Sequence, residues 1–359
     1  MKNLKIIFRL VFRPFIFLFV YQFKKNKINV SRNGTPLKNG ISAVVAMKNE
    51  EYTLPFCLES LIGFADQIII IDNGSEDSSL SIAQSFQEKH SLKIEIDIIV
   101  LPGALLGDCR EAGLNATKYQ WHLRWDADMI AQTDGEFDMK KLREKVLKDN
   151  TPRAIQLPRI NLSGDLRHVA KGKDWDVGEP ILMWFNKDIY YKEYGKFDTI
   201  KVPKYYLLKK ERVNYYFHCE GLKADENLIH RFHYFRWREK YNLYKDKQRP
   251  SNIESYIEFV KERNMFLFDT TEVCKVKYRY QRQCVQNFEK MNVTKFGKYP
   301  KVLRDEIEKK DQRFEIIYVD NKIYTRIDRM DKQMLNFIPD NEDLMWSTDE
   351  FFNKILIEK

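Results

Sequence analysis

From residue 41 to residue 126 the chain alternates short apolar runs with stretches of helical periodicity. The spacing predicts strands over 41–46, 67–71, 94–100 and 121–125, with helices over 54–63, 78–89 and 108–118 between them. Strands rich in Ile and Val, separated by amphipathic segments of about ten residues, imply a parallel, doubly wound α/β sheet. Before this alternation, Asn33-Gly34-Thr35-Pro36-Leu37-Lys38-Asn39-Gly40 reads as a turn-rich linker. After about residue 155 the pattern becomes irregular and aromatic, and from Tyr234 it is largely helical, with amphipathic helices expected over 253–263 and 301–310.

Charge changes this picture at the N-terminus. Lys and Arg number 61 against 52 Asp and Glu, but nine of the basic residues and none of the acidic ones lie in residues 1–40. The remaining 319 residues are formally neutral, so the body lacks the basic field that nucleic-acid binding requires. Between Leu4 and Phe23, 15 of 20 positions are apolar, and Lys5, Arg9 and Arg13 recur every four residues on one helical face. The longest uncharged run, Pro14 to Phe23, is ten residues, about half of what a membrane crossing takes. Residues 1–38 are therefore read as a basic amphipathic leader lying on an anionic membrane surface. A true span, a secretory signal, or a helix packed on the body are the competing readings. Five cysteines without a C-x-x-C pair fit free thiols in a reducing compartment, hence a cytoplasmic protein held at the inner membrane face.

In open α/β sheets, ligands gather beyond the carboxyl ends of the strands. Three such places carry polar residues here: Lys48-Asn49-Glu50-Glu51, Asp72-Asn73-Gly74-Ser75, and Asp126-Ala127-Asp128. No G-x-G-x-x-G follows the first strand, which removes the main support for a dinucleotide-binding fold. Asp-x-Asp by itself is weak, since 26 aspartates in 359 residues give roughly two by chance. Two occur. Asp126/Asp128 ends an apolar strand, where two carboxylates could hold a hard divalent cation and a diphosphate, whereas Asp174/Asp176 falls in a Gly/Lys-rich surface loop.

Four blocks together resemble the family 2 glycosyltransferases of GT-A fold: Ser42 to Glu51, Ile68 to Asp77, Cys109 to Ala116 with Arg110 and Gly113, and Leu123 to Asp128. The resemblance implies an inverting transferase that uses a nucleotide-diphosphate sugar, UDP favoured, with Mg²⁺ or Mn²⁺. On it, Asp72, Ala46 and Asn49 would line the nucleoside pocket, with Arg110 near the nucleotide. Asp126 and Asp128 would hold ribose and metal. The simpler alternatives are a turn-forming role for Asp72 and a helix-surface place for Arg110.

Inversion also requires a base for the acceptor hydroxyl. Asp165, Asp174, Asp176, Glu179, Asp198, Glu220, Asp225 and Glu226 are candidates. Glu220 is preferred because Phe217-His218-Cys219-Glu220 resembles a segment of lipopolysaccharide-core glucosyltransferase-like members. His230 and His233, three residues apart, are candidate metal ligands on the same resemblance, with aromatic packing as the alternative. The resulting expectation is a GT-A domain over 39–245 and a mainly helical region over 246–359, acting on a glycan or lipid-linked acceptor. A nucleotidyltransferase is the first alternative, disfavoured because no basic phosphate loop follows the first strand. A catalytically silent binding module is the second, disfavoured by the intact Asp126 and Asp128.

Overall fold

The computed structural model describes Phe15, Phe19, residues 30–224 except 150, 171, 173, 179, 195 and 196, then Asn227 and Arg231, and residues 288–330 except 320–322. The predicted alternation is present. Strand β1 (Lys38–Met47) leads through α1 (Leu54–Leu61) to β2 (Gln67–Asp72), then α2 (Ser79–His90), β3 (Glu95–Val100), α3 (Leu106–Ala116) and β4 (Tyr119–Asp126). These four strands are parallel neighbours in the order β3-β2-β1-β4. β2 reads Gln-Ile-Ile-Ile-Ile-Asp and is buried at every position, as a central parallel strand covered on both faces must be.

Past β4 the topology departs from a purely parallel sheet. β5 (Met129–Ala131) and α4 (Met139–Leu147) are followed by β6 (Arg153–Gln156), β7 (Pro158–Ser163), β8 (His168–Ala170), β9 (Trp175–Val177) and β10 (Leu182–Trp184). A hairpin follows, β11 (Tyr190–Tyr194) and β12 (Phe197–Lys201), and then β13 (Leu207–Lys210) and β14 (Tyr216–Glu220). The first sheet extends as β13-β6-β10-β4-β1-β2-β3, with β10 antiparallel to both neighbours. A second sheet is built from β8, β7, β14 and β5, with β9 paired to β7. Asp174 therefore precedes a short strand and Asp176 lies within it, where Asp176 pairs with Arg159 and Asp174 with Lys295.

The packing of α3 on β1 depends on one glycine. A side-chain carbon at Gly113 would lie 2.2 Å from Val44 Cγ1, so only hydrogen fits between helix and strand there. The main core lies around the first sheet, and a second cluster gathers Ile130, Ile160, Leu162, Phe217 and Cys219.

Four residues from beyond 245 belong to that second cluster: Met291, Phe296, Leu303 and Phe314. β15 (Phe288–Lys290) pairs antiparallel with β8. Two helices follow, α5 (Val293–Phe296) and α6 (Lys301–Glu308), then the hairpin β16 (Phe314–Val319) and β17 (Ile323–Asp328). The described part of the region after 245 is thus mixed rather than mainly helical, and it shares a core with the body instead of following it. Helix 301–310 is present as α6, whereas the helices expected from Tyr234 and over 253–263 lie outside the described residues.

Most of the leader also lies outside them, although Phe15 and Phe19 are each 67% exposed. Among the described residues no helix is long and apolar enough to cross a membrane. Cys57, Cys109 and Cys219 are buried free thiols.

Candidate active site

Register brings the predicted donor-side residues together. Ala46 on β1 stands opposite Asp126 on β4 and Ile71 on β2, and Met47 stands opposite Asp72. Ala46, Asp72 and Asp126 therefore share one rim, at the carboxyl ends of three adjacent parallel strands. Asp72 is buried and also serves its turn, with Oδ1 accepting from Ser75 Oγ at 2.5 Å and from Ser75 N at 3.2 Å. The turn and pocket readings are compatible, because the hydrogen bonds fix the carboxylate at the rim.

Asn49 adopts a left-handed backbone, φ 54°, which Asn tolerates better than most residues. Its Oδ1 accepts from Glu76 N at 2.8 Å, while its Nδ2 donates to Asn227 Oδ1 at 2.6 Å. It thereby ties the loop after β1 to the loop after β2 and to the segment beyond β14. Close by, Lys223 forms an ion pair with Glu50 and donates to the Lys48 carbonyl at 3.1 Å. Burial pushes the Glu50 carboxyl up to about 7, with Lys223 opposing and Asp128 adding to the rise.

Arg110 is not on the helix surface. It is 1% exposed, donates through Nε to Asp198 at 2.7 Å, and pairs through Nη2 with Asp126. Burial would raise the Asp126 carboxyl, and Arg110 and Arg124 overcome it, holding it well below the usual range. Asp198 is likewise lowered against its own burial by the same two arginines. Such a buried, ionised carboxylate clamped by cations is poorly suited to accept a proton, which removes Asp198 from the base candidates. Asp165 is also committed, accepting from Arg167 N, His168 N and Ile316 N.

Asp128 lies where the two sheets meet. β4 ends at Asp126 in the first sheet and β5 begins at Met129 in the second, so Ala127-Asp128 is the crossing. Trp125 Nε1 donates to the Met129 carbonyl at 2.8 Å and Cys219 N to the Asp128 carbonyl at 2.7 Å, which locks the turn. Asp128 is 5% exposed, and its Oδ1 accepts no hydrogen bond among the described residues.

The imidazole facing Asp128 is His218 on β14. Its Nε2 stands 3.5 Å from Asp128 Oδ1, and its Nδ1 is 3.2 Å from Asn161 Oδ1. Burial would lower His218, but Asp128 raises it overall, while Asp128 in turn is lowered by His218 against its own burial. Glu220, two residues further on the same strand, projects on the same face and is half-buried. His230, His233, Glu179, Asp225 and Glu226 lie outside the described residues.

Sequence reasoning did not select His218, Glu50 or Lys223. The signal for His218 was its period-two relation to Glu220; Glu50 sat inside a recognised block, while Lys223 carries no motif.

Asp128 Oδ1, a buried oxygen without a hydrogen bond among the described residues, fits a hard divalent cation, with His218 Nε2 beside it. Among the described residues no cluster of three or more His, Cys, Asp or Glu is arranged to hold a metal alone. A cation there would have to share its shell with oxygens of a bound substrate, as Mg²⁺ commonly does.

Residues 42–163 match the family model described as glycosyl transferase family 2. Two poly-β-1,6-N-acetyl-D-glucosamine synthases of Staphylococcus epidermidis are similar over part of the chain. One is 26% identical over 126 residues, covering 34% of this chain and 30% of the relative. The other is 30% identical over 103 residues, covering 28% and 24%. The chain thus spans less than a third of the length of the curated relatives it matches. Among solved structures, S. aureus TarS in complex with UDP aligns over 67% of this chain and 80% of its own, at 13% identity and TM-score 0.36. Glucosyl-3-phosphoglycerate synthase from Mycobacterium tuberculosis, with Mn²⁺, UDP and glucosyl-3-phosphoglycerate, aligns over 34% and 44%, at 19% identity and TM-score 0.26. Residues 42–163, the segment similar to glycosyl transferase family 2, hold the strand order β3-β2-β1-β4 and the Asp126-Ala127-Asp128 crossing.

Proposed function

We propose that this chain transfers a sugar, with inversion, from a nucleotide-diphosphate sugar to a hydroxyl of a glycan or lipid-linked acceptor. A UDP-sugar is the favoured donor, and the reaction depends on Mg²⁺ or Mn²⁺. The observation that carries the reading is Asp128, a buried carboxylate two residues beyond Asp126 whose Oδ1 accepts no hydrogen bond among the described residues. In this reading Asp72 and Asn49 hold the nucleoside, and Asp126, pinned by Arg110, receives the ribose. Asp128 and His218 would hold the cation; His218, rather than His230 or His233, is the imidazole whose place beside Asp128 supports that role. When bound, the cation supplies neutralisation of the charge that develops on the departing diphosphate.

Glu220 is the base of choice because it shares the face of β14 with His218, one strand repeat away. Its carboxylate takes the proton of the acceptor hydroxyl as that oxygen bonds to the anomeric carbon. The bond from this carbon to the diphosphate oxygen breaks on the opposite side. Attachment to the inner face of a membrane through the leader completes the proposal, since the basic stripe of Lys5, Arg9 and Arg13 complements anionic headgroups.

Calorimetric titration of Mn²⁺ into the UDP-bound protein tests the site. Asp128→Asn should abolish Mn²⁺ binding and His218→Ala should weaken it by about 10–100-fold, while UDP still binds each variant. Unchanged Mn²⁺ affinity in Asp128→Asn would refute the metal role. Glu220→Gln should retain donor binding and lose about 10²–10⁴ in transfer rate, and wild-type transfer would move the base elsewhere.

A further inference from the structure

We propose that the outward face of the β11–β12 hairpin is a second contact with an anionic lipid bilayer, beside the leader. It rests on the reading of the leader as a membrane-surface segment.

The first observation is where the leader joins the body. Arg32 donates to Glu111 Oε2 at 2.5 Å, to Asn115 Oδ1 at 2.9 Å and to the Ile189 carbonyl at 2.5 Å. The same Glu111 carboxylate accepts from the backbone N–H of Tyr191. The end of the basic leader is thus fastened to the first residues of the hairpin, so a membrane holding the leader lies close to it. Phe15 and Phe19, four residues apart and so on one side of a helix, are exposed as an inserting face would be.

The second observation is the hairpin's own composition. Tyr191 and Ile200, paired across the strands, are buried against the body. The alternate positions face outward: Tyr190 is 50% exposed, Lys192 is exposed, and Lys201 stands opposite Tyr190. Lys187 just before the hairpin and Lys204 just after it are exposed too, and Asp188 is the one exposed carboxylate among the described side chains of 187–204. Lysines on and at both ends of a strand pair that exposes a Tyr with a polar tip are the composition that settles at the headgroup level of an anionic leaflet. Isolated surface lysines would carry no such meaning. Here Lys201 stands across the strands from the exposed Tyr190, at the point where the leader is tied down.

The inner face gives the contact its importance. Asp198 on β12 holds Arg110, and Arg110 holds Asp126, so the lipid-facing side is one hairpin layer from the donor-side carboxylate.

The test uses the full chain and vesicles of phosphatidylcholine with or without phosphatidylglycerol. Each lysine near an anionic surface contributes about five-fold in affinity, so Lys192→Glu with Lys201→Glu should weaken binding to the mixed vesicles by at least about 25-fold. Tyr190→Trp should add a fluorescence component quenched by brominated lipid. Vesicle binding that persists unchanged in the double variant, with the introduced indole unquenched, would overturn the hairpin contact and leave the leader reading standing. No binding to either vesicle would overturn both, and equal binding to pure phosphatidylcholine would overturn the electrostatic argument.

Discussion

Replacing Gly113 with alanine probes how the donor-side rim is held. The added carbon would sit 2.2 Å from Val44 Cγ1 and 2.9 Å from Cγ2, where ordinary contacts begin at 3.4 Å. In an exposed helix the change would gain about 1 kcal/mol of helix propensity. Here Val44 is 1% exposed on a central strand with β2 and β4 on either side, and a β-branched side chain is restricted about χ1. Overpacking of this kind costs about 1–3 kcal/mol, and the rigidity of both partners favours the upper end. The expected net loss is roughly 2 kcal/mol, seen as a fall in Tm of about 4–8 °C. Arg110 lies one helical turn before Gly113, so a helix pushed off the sheet also carries the guanidinium away from Asp126, and UDP binding should weaken in parallel. Val44→Ala removes the obstructing methyls, and a thermal-melt double-mutant cycle should return a favourable coupling of about 2 kcal/mol. A neutral or stabilising Gly113→Ala, or strict additivity with Val44→Ala, would refute the reasoning.

Three further outcomes are expected. Asp198→Asn leaves Arg110 and Arg124 with one carboxylate fewer in a buried setting and should cost about 3 kcal/mol in urea denaturation, whereas Tyr190→Ala on the outer face should cost little. Glu50 is raised from its ordinary 4.5 to about 7, so its stabilising contribution is complete below about 4.5 and is lost as pH rises through about 7. Thermal melts of Glu50→Gln should accordingly depend less on pH across that window, and profiles parallel to wild type would contradict the assignment. Leu303→Ala empties a fully buried site in the second core and should cost about 2–5 kcal/mol, with sugar transfer falling further than UDP binding. If the variant melts like wild type, residues 288–316 contribute less to the second sheet than their burial indicates.

The placement of Ala46, Asp72 and Asp126 was legible because these residues end strands whose period and apolar content are local. β1, β2, β3 and β4 each begin or end within three residues of the expected positions, and Ala46, Asp72 and Asp126 share a rim because parallel register puts them there. Arg110 was legible in place but not in setting, since its partner Asp198 comes from a hairpin 88 residues away. His218 was hidden for a similar reason. It meets Asp128 only because β14 pairs with β5 antiparallel, and short strands of two or three sheets have no periodicity that announces their partners. In the described part of the region after 245, helix α6 was legible from its periodicity, whereas the pairing of β15 with β8 was not, because it depends on contacts more than 100 residues apart.

In the proposed reaction, the crossing at Ala127-Asp128 would divide the work between two sheets. The residues assigned to the nucleotide end strands of the first sheet, while His218 and Glu220 sit on a strand of the second, whose core includes residues from near the C-terminus. A lineage could therefore remodel the second sheet, and with it the choice of acceptor, while donor recognition stayed fixed. The two-residue link would keep the halves in step, and new glycan products could arise without rebuilding the nucleotide pocket.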